Sequence, residues 1–413
     1  MNEVLCFFKL IAGELTSALQ NPLFWVVLVL VAFQYRRIAK SRENLFGISG
    51  NTVFRDTLSA TWYGFIGGLL GSILLILAGI NLTGLAISYI WPLALILMLI
   101  NPRFLCFSYA GGIVALSNLM LGIPAVDVPQ LMGLVAILHL VESMLIYFSG
   151  HAGASPMYMK KPSGQIVGGF TLQKFWPLPI VAVAFLSEAS GLTLLPLMPD
   201  WWPLIQSGNN FILGMSGVLF PFVAGLGYGD LALAHTPVEK SKLSARNLGI
   251  YSFILLGLAV LASRFQDIEY LAAVFAPLGH EIVIYVGQHI EFKGKPIFVP
   301  PLRGVRLLEA VPNTAVQAAG IRSGDVIYTI NGQPVNSKLD IEAALGSGAR
   351  LLEIEFITHS KKKWQRVIME LKPYQPAGII PVPEGDEYTY TEFVSQSIIS
   401  RIAEKIGRNK KGI

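Results

Sequence analysis

The stretch AVPNTAVQAAGIRSGDVIYTINGQPV, Ala310–Val335, decides how the C-terminal part of the chain folds. A short apolar run enters Pro312-Asn313-Thr314, and the small residues Ala315–Ala319 read as a turn of helix. Gly320 ends it, because a residue just past a helix end often takes positive φ, which glycine adopts without steric cost. Arg322-Ser323-Gly324-Asp325 reads as a turn, and Val326–Ile330 alternates as a strand does. Asn331-Gly332 has the form of a two-residue hairpin turn, with Gln333-Pro334-Val335 returning.

Working outward, residues 337–345 read as a helix in which Ser337 and Asp340 are spaced as a capping box. Residues 350–358 and 364–371 read as strands joined by the basic turn 359–363, and a linker with a first strand precedes the quoted stretch. The pattern P-x-x-x-A-x-x-A-G-I-x-x-G-D-x-I-x-x-I-N-G-x-P-V resembles the PDZ domain in its bacterial, HtrA-like arrangement. The resemblance implies a small α+β domain over residues 288–375 that takes up an extended peptide as an added strand. It places the peptide-binding loop at Leu302, Arg303, Gly304 and Val305, with Ile341 and Leu345 on the groove helix. Arg303 stands where an apolar or aromatic side chain is more usual in such a loop, which speaks against terminal-carboxylate binding and leaves internal-segment docking or a purely structural role open. No residue of this region is poised for catalysis.

Before residue 290 the chain changes character. Of its 413 residues 53% are apolar and 14% charged, mean hydropathy is +0.57, and the apolar share concentrates in this N-terminal part. That asymmetry predicts a membrane unit followed by a water-soluble one. Apolar segments at about 22–35, 62–80, 85–100, 104–122, 131–149, 177–198, 211–234 and 249–264 predict a polytopic bundle of about eight helices over residues 22–287, most of them near the roughly 20 residues a span needs and the first and third short. Residues 1–21 are amphipathic, with Glu3, Lys9 and Glu14, and lack a cleavable leader's basic start, so an interfacial helix is expected there. Residues 376–413 read as a Pro-rich, acidic linker and a basic amphipathic helix carrying Val394, Ile398 and Ile402 on one face. That helix suits either solvent or the headgroups of anionic membrane lipid.

Arg36, Arg37, Lys40, Arg42 and Arg55 lie between the first two segments, Arg103 after the third, Lys160, Lys161 and Lys174 after the fifth, and Lys240, Lys242 and Arg246 after the seventh. The alternate loops 81–84, 123–130 and 199–210 carry no Lys or Arg, so the basic loops are expected to face the cytoplasm. The C-terminal domain joins them there if residues 270–287 cross back, with His280 and Glu281 turned away from lipid, or if one of the short segments does not span. The net charge of +5 sits in loops and tail and suggests no nucleic acid, and two cysteines, Cys6 and Cys106, make no disulfide framework.

Three constellations carry possible chemistry. His280-Glu281 begins an HExxH pattern ahead of a PDZ-like domain, as in site-2 intramembrane metalloproteases, but Ile284 stands where zinc needs the second imidazole. Gly214-Met215-Ser216-Gly217 fits the GxSG of rhomboid serine proteases, with His280 as a conceivable base and the other motifs missing. His139 and Glu142 share a helix face, with Glu188 later, and read as an interhelical hydrogen-bond network more than as an ion path. No metal and no cofactor is expected.

The order of a polytopic bundle, an LGHE stretch and one PDZ-like domain without a protease domain resembles the MinJ family of cell-division topology factors. The resemblance implies a non-enzymatic scaffold of the cell membrane at the division septum, with its PDZ domain in the cytoplasm. It also implies cytoplasmic partners of MinD and DivIVA type, beside peptide segments at the PDZ groove. An intramembrane protease, or its PDZ-bearing accessory, is the alternative.

Overall fold

The computed structural model describes residues 2–47, 52–85, 87–161, 163–188, 191–206, 215–346, 348–371, 377–385, 387 and 390–392. The basic amphipathic helix expected after residue 392 lies outside these residues.

Among the described residues eight α-helices precede the C-terminal sheet: α1 (Asn2–Gln20), α2 (Pro22–Phe46), α3 (Val53–Ala78), α4 (Ile87–Ile100), α5 (Phe107–Leu121), α6 (Val128–Ser149), α7 (Pro237–Ala262) and α8 (Asp267–Lys293). Five of them, α2, α3, α6, α7 and α8, are long and apolar enough to cross a membrane. Helix α6 is apolar and buried almost all round, as the central member of a bundle should be. Helix α2 turns Trp25, Val26, Val29, Leu30 and Phe33 outward, a composition suited to lipid. Residues 270–287 belong to α8, so the crossing required of them has a helix long enough to make it.

Three expectations are corrected here. Among their described residues the segments at 177–198 and 211–234 are not helical: β2 (Ile166–Leu186) and β3 (Ser216–Ala232) form one long antiparallel hairpin, paired from Phe170↔Ala232 to Leu186↔Ser216. The segments at 85–100 and 104–122 are helices of 14 and 15 residues, about 21–23 Å long, short of the roughly 30 Å hydrocarbon core. Arg103 does not lie in a loop at the basic end. It sits in the turn between α4 and α5, where Nη2 lies 3.4 Å from Glu281 Oε2 near the middle of α8. Because Tyr109 meets Glu281 while Leu119 meets Tyr270, α5 runs along only the first half of α8. The α4–α5 pair therefore enters from one end and turns back.

The hairpin is held against α3 by matched repeats. Four residues of helix rise about 6.0 Å and two residues of strand about 6.6 Å, so an i, i+4 row on one can follow an i, i+2 row on the other. Gly64, Gly68 and Ser72 of α3 make such a row against Pro177, Pro179 and Val181 of β2. A Cβ on Gly64 would sit 2.2 Å from Pro177 O, and one on Gly68 2.0 Å from Pro179 O. Only glycine admits that approach.

The same row answers the difficulty of an open strand edge away from water. Along that edge Phe175 N–H donates to Tyr35 Oη at 3.4 Å, Val181 N–H to Ser72 Oγ at 2.8 Å, and Phe185 N–H to Thr83 Oγ1 at 3.1 Å. Val183 forms a bridge with Asn81, and Pro177 and Pro179 have no N–H to satisfy. Helix α1 covers the hairpin elsewhere, with Ile11 and Leu15 packed among Val181, Val183 and Leu219.

The C-terminal domain follows α8: β4 (Val305–Ala310), α9 (Ala315–Ala318), β5 (Val326–Ile330), β6 (Gln333–Pro334), α10 (Lys338–Gly346), β7 (Leu351–Ile357), β8 (Trp364–Glu370) and β9 (Ile379–Pro381). The sheet order is β8-β7-β5-β4-β9, with β6 on β5. Asn331 and Gly332 have φ of 50° and 73°, the two positive values that a tight hairpin turn of this kind requires. Ser337 and Asp340 cap α10 reciprocally, Asp340 N–H to Ser337 Oγ at 3.2 Å and Ser337 N–H to Asp340 Oδ2 at 2.9 Å. Its core of Leu307, Val316, Ile327, Ile354 and Phe356 is separate from that of the helical unit. The sheet runs past residue 375, since β9 lies where a linker was expected. A further strand, β10 (Thr391–Glu392), pairs with β1 (Ser155–Lys160) of the helical unit.

Candidate functional site

Two places gather the residues singled out in the sequence. The first is where the C-terminal domain meets the helical unit. Arg42, near the end of α2, donates through Nη2 to Glu309 Oε1 of β4 at 3.0 Å, both side chains mostly buried. Tyr158 Oη donates to Pro381 O at 3.0 Å, and Gly168 N–H to Phe298 O at 2.9 Å. These contacts set the domain at the end of the bundle that carries the basic residues of α2 and β1. Close by, Glu291 of α8 accepts from the N–H groups of Leu233 and Ala234 at 2.8 Å and from His235 Nδ1 at 2.7 Å. Lys240, fully buried, reaches Gly287 O at 3.1 Å and Asp230 at 3.2 Å. Each charge there has a partner, as burial demands.

The groove expected at Leu302, Arg303, Gly304 and Val305 is not open in this form. Leu302 and Arg303 are exposed, Gly304 N–H is already taken by Asn336 Oδ1 at 3.0 Å, and β4, which begins at Val305, has β5 on one side and β9 on the other. A strand paired on both sides cannot accept a third. The sheet margin on that side is β9. Ile341, buried, and Leu345, partly buried, do lie in the domain's core on α10. The first turn of α10 meets the chain just after β9, Lys338 N–H donating to Glu384 Oε1 at 2.7 Å. The strand that makes this margin, β9, comes from the C-terminal end of the domain.

The second place lies inside the helical unit. Cys106, at the N-cap of α5, has its Sγ 3.0 Å from His139 Nε2 on α6 and 3.8 Å from His280 Nε2 on α8. His139 Nδ1 is 2.7 Å from Val135 O, an atom that can only accept, so that nitrogen carries the proton. Tyr109 Oη donates to Glu281 Oε2 at 2.8 Å and accepts from His280 Nδ1 at 3.4 Å. Ser108 and Tyr251 both reach Ala276 O, at 2.5 and 2.8 Å. The expected grouping of His139 with Glu188 is not what the structure brings together, for Glu188 is exposed beyond the far end of β2. Ser216, at the start of β3, is exposed and pairs with Leu186, while His280 faces Cys106 and His139; Gly214 lies outside the described residues. The second imidazole near His280 is not at position 284 but His139 of α6. Sequence spacing could not have shown this, because the three donors are 33 and 174 residues apart from Cys106.

No known family profile matches the chain. The chain is similar to the cell division topological determinant MinJ of Bacillus subtilis (strain 168). The two are 23% identical over 354 residues, spanning 82% of this chain and 86% of that protein.

Proposed function

We propose that this chain is a non-enzymatic membrane scaffold that helps to position the division septum. Its helical unit holds it in the cell membrane, and its C-terminal domain works as a PDZ module on the cytoplasmic side. The observation that carries this reading is the similarity to a division topological determinant along 82% of the chain. The contacts of Arg42, Tyr158 and Gly168 with the C-terminal domain support the cytoplasmic side, because they join it to the basic end of the bundle. The division-site proteins it would recruit are those the family resemblance implies, of MinD and DivIVA type, with peptide docking at β9 beside Ile341 and Leu345 of α10.

Co-purification of the full chain with such partners from crosslinked cells tests the proposal. Deleting residues 303–382 is expected to abolish recruitment while the helical unit still localises to the membrane. Ser216→Ala is expected to leave recruitment unchanged. Cleavage of a membrane substrate that Ser216→Ala abolishes would replace the scaffold by a protease.

A further inference from the structure

The Cys106–His139–His280 cluster has no part in the scaffold reading, and its chemistry is specific. The three donor atoms lie within 4.8 Å of one another, and they come from α5, α6 and α8. Both imidazoles present Nε2 to the sulfur. His139 is fixed in that tautomer by donating Nδ1–H to Val135 O. His280 Nδ1 lies 3.4 Å from Tyr109 Oη, whose own proton is engaged by Glu281, an arrangement that favours the proton on Nδ1 and leaves Nε2 toward the sulfur.

A thiol has one proton. It can satisfy one Nε2 lone pair, and hydrogen bonding alone then leaves the other directed at sulfur with no proton between them. A cation that accepts all three lone pairs removes the conflict. In a tetrahedral zinc site with Zn–S near 2.3 Å and Zn–N near 2.0–2.1 Å, sulfur and nitrogen ligands stand about 3.6 Å apart. The observed separations of 3.0 and 3.8 Å bracket that value, so small side-chain movements would close the three around an ion.

We infer that Cys106, His139 and His280 form a binding site for a thiophilic divalent metal ion, and we assign it to Zn²⁺. A thiolate with two imidazoles suits zinc, whereas magnesium and calcium take oxygen donors. The supports behind the ligands, Val135 O for His139 and the Tyr109–Glu281 pair for His280, are the kind that orient metal-bound imidazoles. Cys106 and His280 are less deeply buried than His139, and three protein donors leave a fourth tetrahedral position for water or another ligand. Bound there, the ion would tie three helices of the bundle together, independently of what the C-terminal domain recruits.

The test is metal content of the full chain purified in detergent without chelator, followed by cobalt replacement. The expected result is about one zinc per chain, and on Co²⁺ exchange the near-ultraviolet charge-transfer band of a cobalt thiolate. Cys106→Ser, His139→Gln and His280→Gln should each lower zinc content at least about ten-fold under the same washing, while Cys6→Ser binds as the natural chain does. Less than about 0.1 zinc in the natural chain with no cobalt band, or zinc retained by all three variants, would overturn the assignment. So would loss of zinc from Cys6→Ser alone. The measurement on the natural chain decides the matter even if a variant folds poorly.

Discussion

The protein contains two sets of β-strands, and they treat their edges in opposite ways. In the C-terminal domain β8 is a sheet margin with no further strand beside it among the described residues, most of its own residues being exposed, and it is charged by Arg366 and Glu370. Water can satisfy its free backbone groups, and charge discourages another strand from adding. In the helical unit the edge of β2 has helix α3 along it, and its N–H groups go to Tyr35, Ser72 and Thr83 or are deleted by Pro177 and Pro179. The difference teaches what a strand needs beside membrane helices. Where solvent is absent, each edge donor must be removed or matched by a named side chain.

The largest break in that contrast should come from Gly68→Val. Its Cβ would fall 2.0 Å from Pro179 O, and the helix and strand cannot both stay in place. A loss of at least about 3 kcal/mol is expected, read as a lower midpoint of thermal aggregation in detergent. Ser72→Ala should follow at about 2 kcal/mol, because Val181 N–H keeps its buried position and loses its acceptor. At the open edge, Gln365→Lys on β8 should change stability by less than about 0.5 kcal/mol, since that side chain is exposed. A cost at β8 equal to that at Ser72 would erase the distinction.

The junction of the two units sharpens the comparison through pH. Burial raises the Glu309 carboxyl above its ordinary value, although Arg42 pulls the other way. A group raised in the folded state stabilises it fully below its ordinary value, near about 4.3, and loses that contribution as pH climbs through the raised one. Protease cleavage in the 294–304 connection should therefore quicken as pH rises from that value, and Glu309→Gln should flatten the dependence. Arg42→Ala should quicken cleavage more than Glu309→Gln does, because it leaves a buried carboxylate with its cation gone.

What the sequence disclosed follows from the range of the forces involved. In the C-terminal domain Asn331-Gly332, Ser337 with Asp340, and the alternation of β5, β7 and β8 are local signals, and each appears where it was read. The hairpin was read as two helices because apolar length dominates such segments. Two local marks pointed the other way: Pro177 and Pro179 two residues apart, and Gly225, Gly227 and Gly229 at the strand period. Both suit a strand better than a helix interior. The turn-back of α4–α5 and the meeting of Cys106, His139 and His280 depend on how helices pack, which no single stretch encodes. The pairing of residues 307–310 with 379–381, which makes β9 rather than β4 the sheet margin, is likewise non-local.

The most direct test of the account is paired labelling with a membrane-impermeant thiol reagent, using Asp200→Cys and Lys362→Cys in a Cys6→Ser parent whose Cys106 sets the baseline. Both positions are exposed, one beyond the far end of the β2–β3 hairpin and the other in the β7–β8 turn. The account predicts that Asp200→Cys labels in intact cells and that Lys362→Cys labels only after the membrane is opened. Labelling of both from the same side would contradict it, because the hairpin tip and the C-terminal domain would then share one face of the membrane.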